Sequence, residues 1–208
     1  MNLALVKQYI ENPEHILDIG ANVGQFYEIA KATWPKANIL SIEGNPYCQN
    51  FLSNTNPNNK ICLLDYEPKL TAFFLNKNHI LSTGNSIYKE LTEHFSFDNT
   101  RVIKIKTHTL DNILPYQIFD LVKLDTQGSE IDIMKGGKNL IQRAKGVIVE
   151  VSHKPYNLNA PLSYQVVDYM LKNNFLLKET LNTNSKSHQS DFFFVNEWWY
   201  YFYKETME

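Results

Sequence analysis

A chain of 208 residues, 43% of them apolar, is long enough to bury one core and too apolar to be disordered. Its formal charge of −2 gives no electrostatic reason to expect nucleic acid as a partner. Cys48 and Cys62, 14 residues apart, fit neither a zinc pair nor a disulfide framework and read as reduced thiols. No run approaches the roughly 18 apolar residues of a membrane helix. Lys7 and Glu11 interrupt the first residues too early for a secretory signal, so the cytoplasm is the default location.

In chain order, a strand is expected over His15–Ile19, ending at Gly20, then a helix over 24–33 stopped near Trp34 and Pro35. A second strand covers Asn38–Glu43. Asn45 and Pro46 start a helix, as cap and first-turn proline. A third strand is expected over 61–65. Residues 71–107 differ: two strand-like runs, 71–75 and 102–106, flank the polar stretch 82–86, and the region reads as a hairpin or lid inserted into the core fold. The regular pattern resumes with strands at 119–125 and 146–151, helices at 129–143 and 163–172, and closing strands at 175–180 and 191–195. Polar stretches at 54–60 and 182–190 read as loops. This alternation predicts an α/β fold: a doubly wound, mainly parallel seven-stranded sheet with helices on both faces, in one domain spanning 1–208. In such sheets ligands bind beyond the carboxyl ends of the strands.

The strongest motif is Asp18-Ile-Gly-Ala-Asn-Val-Gly24, between a strand and a helix. Gly20 permits a tight turn and close approach of a ligand to the backbone, and the helix start behind Asn22 and Gly24 offers free N–H groups. Glu43 ends the second strand, 19 residues after Gly24, where a carboxylate can accept both hydroxyls of a ribose. A dinucleotide loop would read G-x-G-x-x-G, but Asn22 and Gln25 stand at the second and third glycine positions. Asp18 would repel a pyrophosphate and welcome an amino-acid ammonium. S-adenosylmethionine carries that ammonium and no phosphate. Asp65, ending the third strand, is either an acceptor for the adenine amino group or a solvated turn acid.

Five segments in order carry a family resemblance: Ile16 to Phe26, Ile42 to Pro46, Thr109 to Ile113, Phe119 to Glu130 and Val147 to Val151. With the K-L-D-x-Q-G-S-E stretch and Lys135-Gly136, the chain resembles the FkbM family of S-adenosylmethionine-dependent methyltransferases. The resemblance implies methyl transfer, typically to a hydroxyl oxygen of a sugar, glycolipid or natural product, and does not fix the acceptor. Asn45-Pro46-Tyr47 is not the amino-methylation motif, which belongs after the fourth strand.

Asp18, Asp125 and Glu150 fall near the ends of three strands that are neighbours in such a sheet. Like charges so close raise at least one pKa, and such a group can take a proton from a hydroxyl. Lys123 shares a face with Asp125 and needs a carboxylate partner, Asp125 or Glu150. His153, just beyond Glu150, is the best placed of six histidines for proton abstraction. Asp125, Glu150 and His153 also suit a divalent metal, but their spacing demands none. Gln127 faces the cleft, while Glu130 caps a helix. Asn85 and Tyr88 in the inserted region are candidate acceptor contacts. The aromatic run 198–203, in a tail covering about 197–208, docks onto the sheet or forms a homodimer face. Two further readings stay open: an NAD-dependent oxidoreductase, and a nucleoside-binding protein without turnover.

Overall fold

The computed structural model describes residues 1–184 and 188–207, with side chains described as far as residue 202. The chain runs α1 (Leu3–Lys7), β1 (His15–Ile19), α2 (Gln25–Thr33), β2 (Asn38–Glu43), a short 3-10 turn at Pro46–Cys48, α3 (Gln49–Thr55), β3 (Asn59–Ile61), β4 (Leu63–Leu64) and β5 (Leu70–Asn76). It continues through β6 (Thr100–His108), α4 (Leu110–Ile113), β7 (Leu121–Leu124), α5 (Glu130–Gly136), α6 (Lys138–Ile141), β8 (Gly146–Ser152), α7 (Ser163–Lys172), β9 (Phe175–Asn184), β10 (Gln189–Asn196) and α8 (Glu197–Met207).

The main sheet has seven strands in the order β3-β2-β1-β7-β8-β10-β9. All neighbours are parallel except around β10, which runs antiparallel to both β8 and β9. Strand order reverses between β1 and β7, so the crevice for a ligand opens where these two strands end. A smaller sheet, β4-β6-β5, joins the two strands of the inserted region to β4 before it.

Strand alternation divides the core in two. On one face Leu17, Ile42, Leu124, Val149 and Phe194 pack against residues of α4 to α7, such as Leu110, Met134, Leu140 and Met170. On the other, Ile16, Ile39, Leu121, Ile148 and Phe193 pack against α1, α2 and the aromatic end of the chain, through Val6, Phe26 and Trp199. This is the expected doubly wound α/β architecture.

Four local expectations change. The third strand divides at Cys62: β3 stays in the main sheet, while Leu63 and Leu64 leave it to pair with Thr107 and His108 of β6. The helix expected over 129–143 is two helices, because Gly136 and Gly137 press against neighbouring chain; a Cβ on Gly136 would lie 2.3 Å from the carbonyl oxygen of Asp65. The closing strands β9 and β10 extend through much of the expected loop 182–190, of which residues 185–187 lie outside the described residues. The aromatic tail is a helix whose Trp199 and Tyr200 pack on the second core cluster, while Trp198, Tyr201 and Phe202 face outward. The Tyr203 side chain and residue 208 lie outside the described residues.

Candidate active site

The loop after β1 is set by backbone geometry that few residues tolerate. Gly20 has φ +83°, and a Cβ there would lie 1.8 Å from the Asp125 carbonyl oxygen. Only a glycine lets the ends of β1 and β7 close on one another. The Gly20 and Ala21 N–H groups donate to the Ile42 carbonyl at 2.9 and 3.1 Å, tying the loop to β2. Asn22, also left-handed at φ +48°, donates its N–H to Glu43 Oε2 at 2.8 Å. Asn45 N–H donates to Glu43 Oε1 at 2.7 Å. Backbone donors thus hold both Glu43 oxygens, and each keeps a lone pair for a hydroxyl. Burial raises the Glu43 pKa despite these bonds.

This loop, Glu43 and the inserted sheet enclose a cavity of about 270 Å³. Gly20, Asn22 and Glu43 line one side, Leu63 and Phe73 of the small sheet another, and Asp125 and Gln127 the end. The donor set fits a nucleoside bearing an amino acid: a ribose acid, apolar walls, and no Arg among the described lining residues.

Behind the loop runs a row of charges. Lys123 Nζ lies 3.0 Å from Asp125 Oδ2 and 3.8 Å from Asp18 Oδ1. Lys123 therefore joins Asp125 and Asp18, rather than Glu150. Burial lowers the Lys123 pKa, but the charges of Asp125 and Asp18 overcome this and raise it. Asp18 is fully buried. Burial pushes its carboxyl up to about 6, against the pull of Lys123. Among the described residues, Asp18 Oδ1 has no hydrogen-bond partner, and Oδ2 accepts one long bond, 3.5 Å, from Ser41. Asp18 does not line the cavity, which corrects the expectation that it meets the ammonium directly.

Asp125 does line it, and it also lines a second, larger cavity of about 910 Å³. Gln127 is held at φ +57° in the turn after β7. It donates from Nε2 to Asp125 Oδ1 at 3.1 Å and, in a short bond, to Glu150 Oε2. Gln189 of β10 donates to the same Glu150 oxygen at 3.1 Å and to Gln127 Oε1 at 3.3 Å. Burial alone would raise the Asp125 pKa; Lys123 and the hydrogen bonds from Glu150 and Gln127 outweigh it and hold it low. Burial first, and then the Asp125 charge, drive Glu150 well above the ordinary range. The pair is thus split in role: Asp125 is the anion, and Glu150 keeps its proton where Asp125 has lost one.

Three other candidates lie off the cleft. His153 sits three residues after Glu150, hence on the opposite face of the strand line, where its ring nitrogens meet Ser163 at 3.1 Å and Ser190 at 2.8 Å and its ring packs on Phe192. It cannot join Asp125 and Glu150, as base or as metal ligand, from there. Tyr88 donates its phenol to Asp132 at 2.6 Å and so fastens the inserted region to α5. Asp65 turns to Lys69, 3.0 Å away, leaving Cys62, Leu63 and Leu64 on the cavity wall. Asn85 does line the first cavity, though its side chain serves its own loop, bonding Asn76 N–H and the Ile80 carbonyl. Ser86 reaches further, donating to the carbonyls of Thr126 at 2.9 Å and Gln127 at 3.1 Å. Glu130 bonds the Thr126 and Gly128 N–H groups, as a helix-start acid should.

Gln189, Glu90 and Tyr156 line the second cavity and carried no signal singled out from the sequence. One was available: Gln189 and Asp191 stand four and two residues before Phe193, on the face of β10 that Phe193 shows to the core.

Residues 18–177 match the family model described as "Methyltransferase FkbM domain". The match covers most of the chain, and the chain belongs to this family, a family of S-adenosylmethionine-dependent methyltransferases. A comparison with curated protein sequences finds no match. Among solved structures, the chain is similar in fold to magnesium protoporphyrin IX methyltransferase from Synechocystis PCC 6803 with bound SAM, at TM-score 0.51 and 12% identity, over 93% of this chain and 74% of that one. It is also similar to a TehB-like SAM-dependent methyltransferase from Corynebacterium glutamicum, at TM-score 0.50 and 11% identity, over 93% and 85% of the two chains. These likenesses concern the fold. Among the described residues, no helix is long and apolar enough to cross a membrane.

Proposed function

We propose that this FkbM-family methyltransferase transfers the methyl group to a hydroxyl oxygen of a small or glycan acceptor, with the donor in the first cavity and the acceptor in the second. The observation that carries this reading is that the two cavities meet at Asp125 and Gln127. An acceptor oxygen in one cavity can then be aligned with a methyl carbon in the other, and alignment is most of what this reaction asks of a protein.

S-adenosylmethionine supplies an electrophilic methyl group, so the chain's own task is binding, orientation and proton removal. Glu43 holds the ribose hydroxyls. Gly20 and Asn22 form the wall along which the donor lies. Asp125, the standing anion of the pair, is the acceptor for the proton of the alcohol. Its low pKa makes it a weak base by itself. Glu150, whose pKa is raised, keeps its own proton, so it takes no second one and instead steadies the Asp125 anion, with which it titrates as one coupled group. Gln127 and Gln189 fix the pair. Lys123 keeps Asp125 ionised.

The test has two stages. Calorimetric titration with S-adenosylhomocysteine and, in parallel, NAD should give saturable binding of the former alone. Methyl transfer from labelled S-adenosylmethionine to a panel of sugars, glycolipids and hydroxylated natural products should then yield a methyl ether. A methylated nitrogen or carbon in the product would sink the oxygen assignment, and NAD binding in place of S-adenosylhomocysteine would sink the donor.

A further inference from the structure

We propose that the second cavity selects acceptors bearing a basic amine close to the hydroxyl that is methylated, and that Glu90 is the specificity residue that receives the ammonium. This rests on the reading that the second cavity holds the acceptor.

Glu90, on the inserted region, lines that cavity together with Asp125 and Glu150. It is 4% exposed, and it lines the cavity wall. Its position is fixed from several sides. The strand-like pairing of Glu90 with Asn157 is closed by Leu91 N–H to the Tyr156 carbonyl and Leu158 N–H to the Lys89 carbonyl, both 2.8 Å. The Thr92 hydroxyl donates a short bond to Oε1. A Cβ on Gly84 would lie 2.1 Å from Oε2, so the carboxylate rests on bare backbone there. The Tyr156 phenol also bonds Glu90; burial first, and then this neighbour's charge, push the phenol up to about 12. A carboxylate has about four acceptor positions, and these contacts leave it able to accept from a ligand.

The charge around it is one-sided. The wall carries the anions Glu90 and Asp125, with Glu150 beside them holding its proton, and no Lys or Arg among its described lining residues. Its bases are His79 and His94, both exposed at the rim. Lys123 lines only the donor cavity, and its charge is matched by Asp18 and Asp125. A concave wall of one sign attracts the opposite charge and repels its own, the more so away from bulk water. An ammonium fits; a carboxylate or phosphate does not. A neutral polyol meets neither gain nor penalty.

The experiment uses the full chain saturated with S-adenosylhomocysteine. Three probes of one shape are titrated by ligand-observed NMR: methyl glucosaminide, its N-acetyl counterpart and methyl glucuronide. The aminosugar should bind at least ten-fold more tightly than the N-acetyl sugar, and the glucuronide most weakly. Glu90→Gln should abolish the preference while leaving S-adenosylhomocysteine affinity and Tm as they were. The wild-type ranking stands as a test even if that variant folds poorly. Equal affinities, a preference for the glucuronide, no binding of any probe, or a preference that survives in a folded Glu90→Gln would each overturn the proposal. The acceptor reading fails separately. If the aminosugar binds through Glu90 but gains no methyl on oxygen from S-adenosylmethionine, charge selection stands and acceptor function falls. If all three sugars are methylated equally well, the reverse holds.

Discussion

One face of the main sheet is apolar where β1, β7 and β8 cross it, from Leu17 and Val122 to Leu124, Val149 and Val151. The other begins alike, with Ile16, Leu121, Ile148 and Phe193, and then turns to Asp18, Lys123, Asp125, Glu150 and Asp191 toward the carboxyl ends of β1, β7 and β8. The same strands thus carry a face that only stabilises and a face that changes from core to chemistry within two residues. Asp18 and Lys123 are buried there as completely, Asp125 and Glu150 less so, and the sheet tolerates the buried charge because Lys123 stands between two of the acids. Packing and reactivity are therefore separated here by side-chain parity, not by distance along the chain.

Substitutions can break that separation in graded ways. The largest effect is expected from Asp125→Asn on the mixed face: a fall in kcat of about 10²- to 10⁴-fold, with the cooperative unfolding transition retained. It is checked by steady-state kinetics at saturating donor beside urea denaturation. Phe194→Ala, on the apolar face, should do the opposite. Phe194 is fully buried, so its truncation should cost about 3–5 kcal/mol of stability, while S-adenosylhomocysteine affinity, measured well below the melting range, stays as in the wild type.

The buried charge also predicts a pH signature. The Asp18 pKa is raised from 3.8 to about 6 in the folded chain. The folded state then binds this proton more tightly than the unfolded state, so the contribution is present below pH 3.8 and lost as pH rises through 6. Two pKa units correspond to about 3 kcal/mol. Glu150, also raised, acts in the same direction. The comparison is therefore made against Asp18→Asn, whose stability should fall less steeply across pH 4–6 than that of the wild type in denaturant titrations. Parallel slopes would show that Lys123 already cancels the burial of Asp18. The smallest effect is expected at His153→Ala: methyl transfer unchanged, and stability within about 1 kcal/mol, since its two hydroxyl contacts lie at the sheet margin.

Much of this was legible in the chain. The bounds of β1, β2 and α7 follow from apolar runs and their punctuation. Gly20, Asn22 and Glu43, all singled out from the sequence, line the first cavity because turn geometry and strand ends are local properties. What was not legible depends on side-chain direction and on distant strands. Lys123 was matched to Asp125 or Glu150, and its second partner proved to be Asp18, next to it across the sheet. His153 looked close to Glu150 in sequence, but odd spacing sends it to the other side. Gln189 sat in an apparent loop until strand pairing with Ser152 and Asn184 extended β10 around it. Glu90 belongs to an inserted region whose segments fold through contacts with residues more than sixty positions away, such as Asn157.

The antiparallel placement of β10 between β8 and β9 sets an order of events during synthesis. Chains fold from the N-terminal side as they emerge. Once residue 152 has left the ribosome, β1, β2, β3, β7 and β8 can already pair. β8 is then the outermost strand, with Glu150 on an open edge, and remains so until residues 189–196 arrive to cover it. An uncovered edge strand invites pairing with other chains. Gln189, which bonds Glu150, therefore reaches the carboxylate pair only when β10 has been made, and until then the edge of β8 is open to pairing with other chains.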